Sequence, residues 1–120
     1  YMVWMQGEND AFADMSASWH KENLTKIVKK VKRKTAIEKC MIISIANYTL
    51  DAEIGKRFRR IQKAQKSLCR TNKNFVLIST KATSLPAKYF REDGIHILQG
   101  GLNKIGTEAG KNAGKYAKTH

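Results

Sequence analysis

The sequence predicts an α/β fold, a parallel sheet of about three strands with helices packed on its faces. Three observations carry that expectation. Apolar runs of strand length at residues 1–5, 40–46 and 75–79 alternate with longer segments of helical periodicity. The middle run, Cys-Met-Ile-Ile-Ser-Ile-Ala, is almost entirely apolar, as a strand covered on both faces should be. A helix-length segment also separates each strand from the next, the spacing that joins parallel neighbours.

Taken in order, Tyr1, Met2, Val3, Trp4 and Met5 read as a short buried strand, and a polar loop at residues 6–10 follows. Phe12, Met15 and Trp19 are spaced for the inner face of a first helical turn or two, with Ser16 and Ser18 as candidate caps. Trp19, Leu24, Ile27, Val28 and Val31 then keep helical spacing to about Lys34, with His20 on the helix surface. After the second strand and a loop at 47–50, Asp51 is placed to cap a helix. Its inner face is Ile54, Phe58, Ile61, Ala64 and Leu68. Residues 71–74 turn the chain into the third strand, and 81–92, with the single proline Pro86, form a long irregular loop. The last helix runs from about Gln99 to Lys118, with Leu98, Leu102, Ile105 and Ala109 inward. In it Gly106, Gly110 and Gly114 recur at every fourth residue. Thr107, Glu108, Lys111 and Asn112 exclude a lipid-facing seam, so close packing of helix on sheet is expected there.

A chain of 120 residues sets the limit at one domain with a modest core, and 42% hydrophobic with 28% charged residues marks it as globular. No run approaches the roughly 20 apolar residues of a membrane helix. No signal-peptide pattern is visible, and a cytoplasmic or a secreted location fits equally. The net charge of +13 concentrates in Lys26, Lys29, Lys30, Lys32, Arg33 and Lys34, and again in Lys56, Arg57, Arg59, Arg60, Lys63 and Lys66. On amphipathic helices such charge is first of all a solvated face, and next an attraction to an acidic polymer or anionic surface. Residues 26–34 contain no aromatic side chain on which a base could stack, which disfavours nucleic acid as a partner. Cys40 and Cys69 have neither metal-ligand spacing nor a C-x-x-C pattern, and read as buried thiols or a disulfide.

Two polar stretches carry candidate chemistry. In Asp93-Gly94-Ile95-His96 a carboxylate three residues before an imidazole can hold one ring nitrogen and leave the other free to take a proton. Gly94 allows the sharp turn this needs. The other stretch is Gln6-Gly7-Glu8-Asn9-Asp10, directly after the first strand. In parallel sheets sites form beyond the carboxyl ends of the strands. Residues 6–10, Asn47 with Tyr48, and the loop carrying Asp93 and His96 all fall on that edge.

Those residues carry a resemblance. The Gly7-Glu8-Asn9-Asp10 run resembles the G-x-N-D block of SGNH hydrolases, and Asp93-Gly94-Ile95-His96 resembles their final D-x-x-H block. More narrowly, Trp4-Met5-Gln6-Gly7-Glu8-Asn9-Asp10-Ala11 is similar to the W-x-Q-G-E-S/N-D-A motif of the carbohydrate and sialate O-acetylesterase branch. Residues 60–65, residues 74–80 and the ending D-G-I-H-x-x-Q-x-G-L-N-K-I-G are also similar to that branch. The resemblance implies a flavodoxin-like three-layer sandwich. It implies that His96 is the general base for a serine, that Asp93 orients the imidazole, and that Asn9 donates to the oxyanion. Gly7, Gln6 and Glu8 would shape the site. Each oxyanion donor of this kind is worth roughly 3–4 kcal/mol of barrier. An acetylated carbohydrate is the implied substrate, and no metal or organic cofactor is required.

One departure from the family stands out. Its nucleophile lies in a G-Q-S-N-type block, and none of Ser16, Ser18, Ser44, Ser67, Ser79 and Ser84 has that context. Residues 1–120 are therefore expected to be the C-terminal portion of a single SGNH-like domain. The serine would come from an N-terminal segment or a second chain, and the first strand would leave an exposed apolar edge that favours association with such a partner or with a second copy. The alternative expectation is an inactive hydrolase-like module that binds an anionic glycan or nucleic acid.

Overall fold

The computed structural model describes all residues from Tyr1 to His120. Strand β1 (Met2–Trp4) leads through helix α1 (Glu8–Phe12) into helix α2 (Ala17–Lys34). Strand β2 (Cys40–Ile43), helix α3 (Ala52–Thr71) and strand β3 (Phe75–Ser79) follow, and two short 3-10 turns precede helix α4 (Gln99–Thr119). The sheet has the order β1-β2-β3 and is parallel throughout, as the alternation of strands and helices requires. Met2 pairs with Cys40 and Cys40 with Phe75, so the three strands begin level.

The strand period of two sorts the sheet's side chains into two layers. Cys40, Ile42 and Phe75 face Leu24 and Val28 of α2 and Leu68 of α3, with Met2, Trp4 and Leu77 packed alongside. Met41 and Ile78 point the other way, onto Ala109 of α4. Helices thus cover both faces of β2, which accounts for its continuous apolar run. α4 packs mainly over β3, and beside β1 its Tyr116 meets only Tyr1, edge-on with ring centroids 6.1 Å apart. Val3, on the α4 side of β1, is therefore 57% exposed, and the strand read as buried is a half-open edge. Trp4 Nε1 is buried there with no hydrogen-bond partner, an orphan donor that costs about 1–3 kcal/mol.

Capping sets the helices in place. Ser16 Oγ accepts the Trp19 N–H at 3.0 Å, and Asp51 Oδ1 accepts the Ile54 N–H at 2.9 Å. The inner face of α3 is Phe58, Ile61, Ala64 and Leu68 as expected, joined by Gly55 and Gln65, with Ile54 half-buried. In α2 the inward stripe is His20, Leu24 and Val28, whereas Trp19 and Ile27 are exposed. The expectation of an inward Trp19 and a surface His20 is thereby reversed. The stripe runs through a polar residue because His20 has polar partners there, the half-buried Asp10 carboxylate at 2.8 Å and the buried Gln65 amide at 3.4 Å.

In α4, Gly101, Ile105 and Ala109 turn inward, while Leu98 and Leu102 are exposed, contrary to the expected face. The glycine that permits close approach is Gly101, where a Cβ would come within 2.6 Å of Ile97 Cγ2. Gly106, Gly110 and Gly114 face open space, with nothing within 4 Å of a Cβ at any of them. The expected close packing at these three does not occur. Their phase in the helix lies beside the buried Ile105 and Ala109, on the solvent side. Replacing all three with alanine is expected to stabilise the fold by about 0.5–1 kcal/mol per site, through the lower entropy of the unfolded chain and better helix propensity. Chemical denaturation of the triple variant measures this, and a lower midpoint than wild type would contradict it.

Both cysteines are free thiols, so of the two readings left open the disulfide is not formed. Burial pushes Cys40 up to about 11 and Cys69 to about 12, which leaves both unreactive at neutral pH. No helix is long and apolar enough to cross a membrane, and no group of three or more His, Cys, Asp and Glu side chains is arranged to hold a metal ion.

Candidate functional site

Residues 93–96 form a tight turn that Gly94 enters with a φ of 72°. Asp93 Oδ1 accepts the backbone N–H groups of Ile95, at 2.9 Å, and His96, at 3.0 Å. Its other oxygen, Oδ2, is hydrogen-bonded to His96 Nδ1. The side-chain bond to His96, followed by the two backbone bonds, lowers the Asp93 carboxyl to about 2, so it remains ionised throughout the physiological range. His96 Nε2 has no partner within the chain, and the His96 side chain is 71% exposed. An imidazole fixed at Nδ1 by a carboxylate and open at Nε2 is set to accept a proton from an incoming group.

The stretch after β1 is built differently. Gly7 has a φ of 152°, reachable without strain only by glycine, and its N–H is donated to Glu8 Oε2 at 3.0 Å. Gly7 N–H is thus already engaged, and the glycine shapes the turn. Glu8, a motif residue without an obvious part in the sequence, holds that turn closed. Gln6 presents its carbonyl to Gln65 Nε2 at 2.8 Å. Asn9 sits at the start of α1, exposed, with its side-chain amide unbonded. Asp10 Oδ2 meets the Nδ1 of the buried His20 at 2.8 Å.

The expected convergence on one edge is visible in how the loops touch. Tyr48, after β2, packs edge-on against Phe12 of α1 with ring centroids 5.4 Å apart. On its other side it lies beside Gly94, where a Cβ would stand 3.5 Å from Tyr48 Cε2 and 2.8 Å from Leu50 Cδ1. All three carboxyl-end loops are therefore linked through Tyr48. No hydrogen bond joins Asn9 to Asp93 or His96. Beside the turn is a cleft of about 300 Å³, lined by Asn47, Leu50, Leu85, Phe90, Arg91 and Gly94 among others.

No serine of the chain bonds to His96. Ser16 caps α2, Ser18 and Ser67 lie on α2 and α3, and Ser44 is buried with its hydroxyl turned to the Ile45 carbonyl. Ser79 donates to Glu108, which also accepts the Thr80 and Lys81 N–H groups and whose carboxyl is held below its ordinary value chiefly by Ser79. Ser84 donates to the Lys81 carbonyl at 3.1 Å.

A family model described as carbohydrate esterase, sialic acid-specific acetylesterase, matches residues 1–115. The chain belongs to this family. Both motif stretches lie inside the matched residues, at 6–10 and 93–96. No curated protein and no solved structure matches the chain. Membership in the esterase family agrees with the resemblance drawn from the motifs and with the parallel α/β architecture. Sequence reasoning places His20 on the helix surface and gives no role to Gln65 within the similar stretch 60–65. Their partners lie 10 and 59 residues away, beyond any local spacing rule.

Proposed function

We propose that this chain is the C-terminal portion of a serine-dependent carbohydrate O-acetylesterase domain of the SGNH type. The observation that carries the reading is the His96–Asp93 pair, with Nε2 free and exposed at the carboxyl edge of a parallel sheet and no serine bonded to it. In the reaction, a serine Oγ–H gives its proton to His96 Nε2 as Oγ bonds to the ester carbonyl carbon. Asp93 stabilises the imidazolium that forms, and the Asn9 amide donates to the carbonyl oxygen as it takes up negative charge. Collapse expels the sugar oxygen, which takes the proton from His96. A water then repeats the sequence on the acetyl-serine, releasing acetate and restoring the serine.

The serine is supplied by a segment or chain that pairs with β1. That strand is the half-open edge, with Val3 57% and Tyr1 47% exposed and the unpartnered Trp4 indole beside them. An apolar, unpaired edge is where a further strand adds most readily. The test is hydrolysis of an aryl acetate by this chain alone and with a polypeptide carrying the G-Q-S-N-type block. Activity only in the mixture is the expected result. Hydrolysis by this chain alone, lost in His96→Ala, would mean that one of its own serines serves, and the account of a supplied serine would fall.

A second reading, a non-catalytic module for an anionic glycan, is favoured by a different observation. Lys66 borders three adjoining depressions, further lined by Lys39, Lys63, Arg70 and Lys73, with no Asp or Glu in any of them. Salt-dependent binding of a sulfated oligosaccharide, with no hydrolysis even in the mixture, would favour this reading over the first.

A further inference from the structure

The pair formed by the buried His20 and the half-buried Asp10 lies outside the proposed catalytic set, and the hydrogen bonds of the His20 ring fix its tautomer. Gln65, fully buried in α3, is the key. Its carboxamide has one oxygen and two N–H donors. Ile45 N–H points at Gln65 Oε1 at 3.3 Å, so that atom must be the oxygen. The nitrogen then faces the Gln6 carbonyl at 2.8 Å and His20 Nε2 at 3.4 Å, with one N–H for each. The reversed amide would set a donor against Ile45 N–H and an oxygen against the Gln6 carbonyl. His20 Nε2 is consequently an acceptor. Its proton is on Nδ1, donated to Asp10 Oδ2 at 2.8 Å. Both ring nitrogens are engaged and the residue is 2% exposed, so His20 cannot act as a second base.

This network grips the motif stretch at three points. Gln65 holds the carbonyl of residue 6. A Cβ at Gly7 would lie 2.9 Å from Ile61 Cγ2, 3.1 Å from Gln65 Nε2 and 3.2 Å from His20 Cε1, so the backbone of residue 7 rests directly on the pair. His20 holds the carboxylate of residue 10. Between these points, Asn9 alone is exposed and unbonded. We propose that His20, as the neutral Nδ1–H tautomer, and Gln65 are positioning residues that fix residues 6–10 so that the Asn9 amide is presented to a group arriving from outside the chain. The catalytic consequence rests on the esterase reading above; the tautomer and the loop order do not.

Long-range proton–nitrogen NMR of histidine-labelled full chain at neutral pH tests the first part. The expected spectrum for His20 has a protonated Nδ1 and a bare Nε2; an Nε2–H tautomer or an imidazolium would overturn the proposal. His20→Phe keeps a ring and removes both hydrogen bonds, while Asp10→Asn keeps an oxygen to accept from Nδ1–H. Backbone relaxation is expected to show residues 7–10 loosened in His20→Phe, with β2 and α3 unchanged, and restored order in Asp10→Asn. In the serine-complemented esterase, His20→Phe should lower kcat about 10–100-fold with KM within about twofold, the pattern of a misplaced donor. Unchanged loop order and kcat in His20→Phe would overturn the positioning role. If the complemented wild type hydrolyses nothing, the esterase reading fails while the tautomer and the loop order still decide this one. Should His20→Phe fail to fold, the wild-type tautomer and Asp10→Asn remain decisive.

Discussion

In the serine-complemented enzyme, His96→Ala is expected to lower kcat for aryl acetate hydrolysis by about 10³–10⁴-fold, leaving KM within a few-fold. The size follows from the role. Without a base at Nε2 the serine hydroxyl is a weak nucleophile at neutral pH, and no nearby group can substitute, since His20 is buried with both nitrogens bonded. Asn9→Ala is a second arm of the same measurement, with an expected loss of about 10²–10³-fold from removal of one oxyanion donor. The pH dependence can be signed from Asp93. Its carboxyl falls from an ordinary 3.8 to about 2, first through the His96 side-chain bond. The His96–Asp93 link is therefore fully present above the ordinary carboxylate range and is lost only as pH falls through about 2. Any loss of activity between pH 4 and 7 thus arises elsewhere than in Asp93. A complemented enzyme that keeps its rate in His96→Ala would remove His96 from the mechanism.

What was legible in the sequence was what short spacing encodes. The apolar run at residues 75–79, the Asp51 cap and the Phe58–Ile61–Ala64–Leu68 stripe are each set by neighbours within a turn or two, and all are found in the fold. The Asp93–His96 turn is legible for the same reason, since every bond in it joins residues three apart or closer. The phase of α2 was not. Trp19 has the hydrophobicity of a core residue and His20 that of a surface one, and only the long-range partners Asp10 and Gln65 reverse the preference. Burying a polar ring is costly unless each nitrogen is bonded, and here each is. The glycines of α4 misled for a related reason. A four-residue repeat marks one face of a helix without saying which face the sheet takes, and Ile105 and Ala109 decide that in favour of their own side.

The same network makes Gly7 a sensitive small residue of the chain. Gly7→Ala is expected to destabilise the fold by about 2–5 kcal/mol, read by chemical denaturation. Two costs add. The φ of 152° is one an L side chain rarely adopts, which contributes about 1–3 kcal/mol of strain. The new methyl would also press on Ile61, Gln65 and His20, and their shift would break the bonds to Gln6 and Asp10. Gly110→Ala is the matched control, because its methyl meets nothing within 4 Å and the helix gains propensity. The same substitution is thus expected to act with opposite sign at two glycines of one chain. In the complemented enzyme the folded fraction of Gly7→Ala should also lose kcat, since Asn9 is carried on the displaced stretch, whereas Gly110→Ala should not. A Gly7→Ala variant within about 0.5 kcal/mol of wild type would mean that residues 6–10 relax freely, and the pinning of Asn9 by His20 and Gln65 would have to be given up.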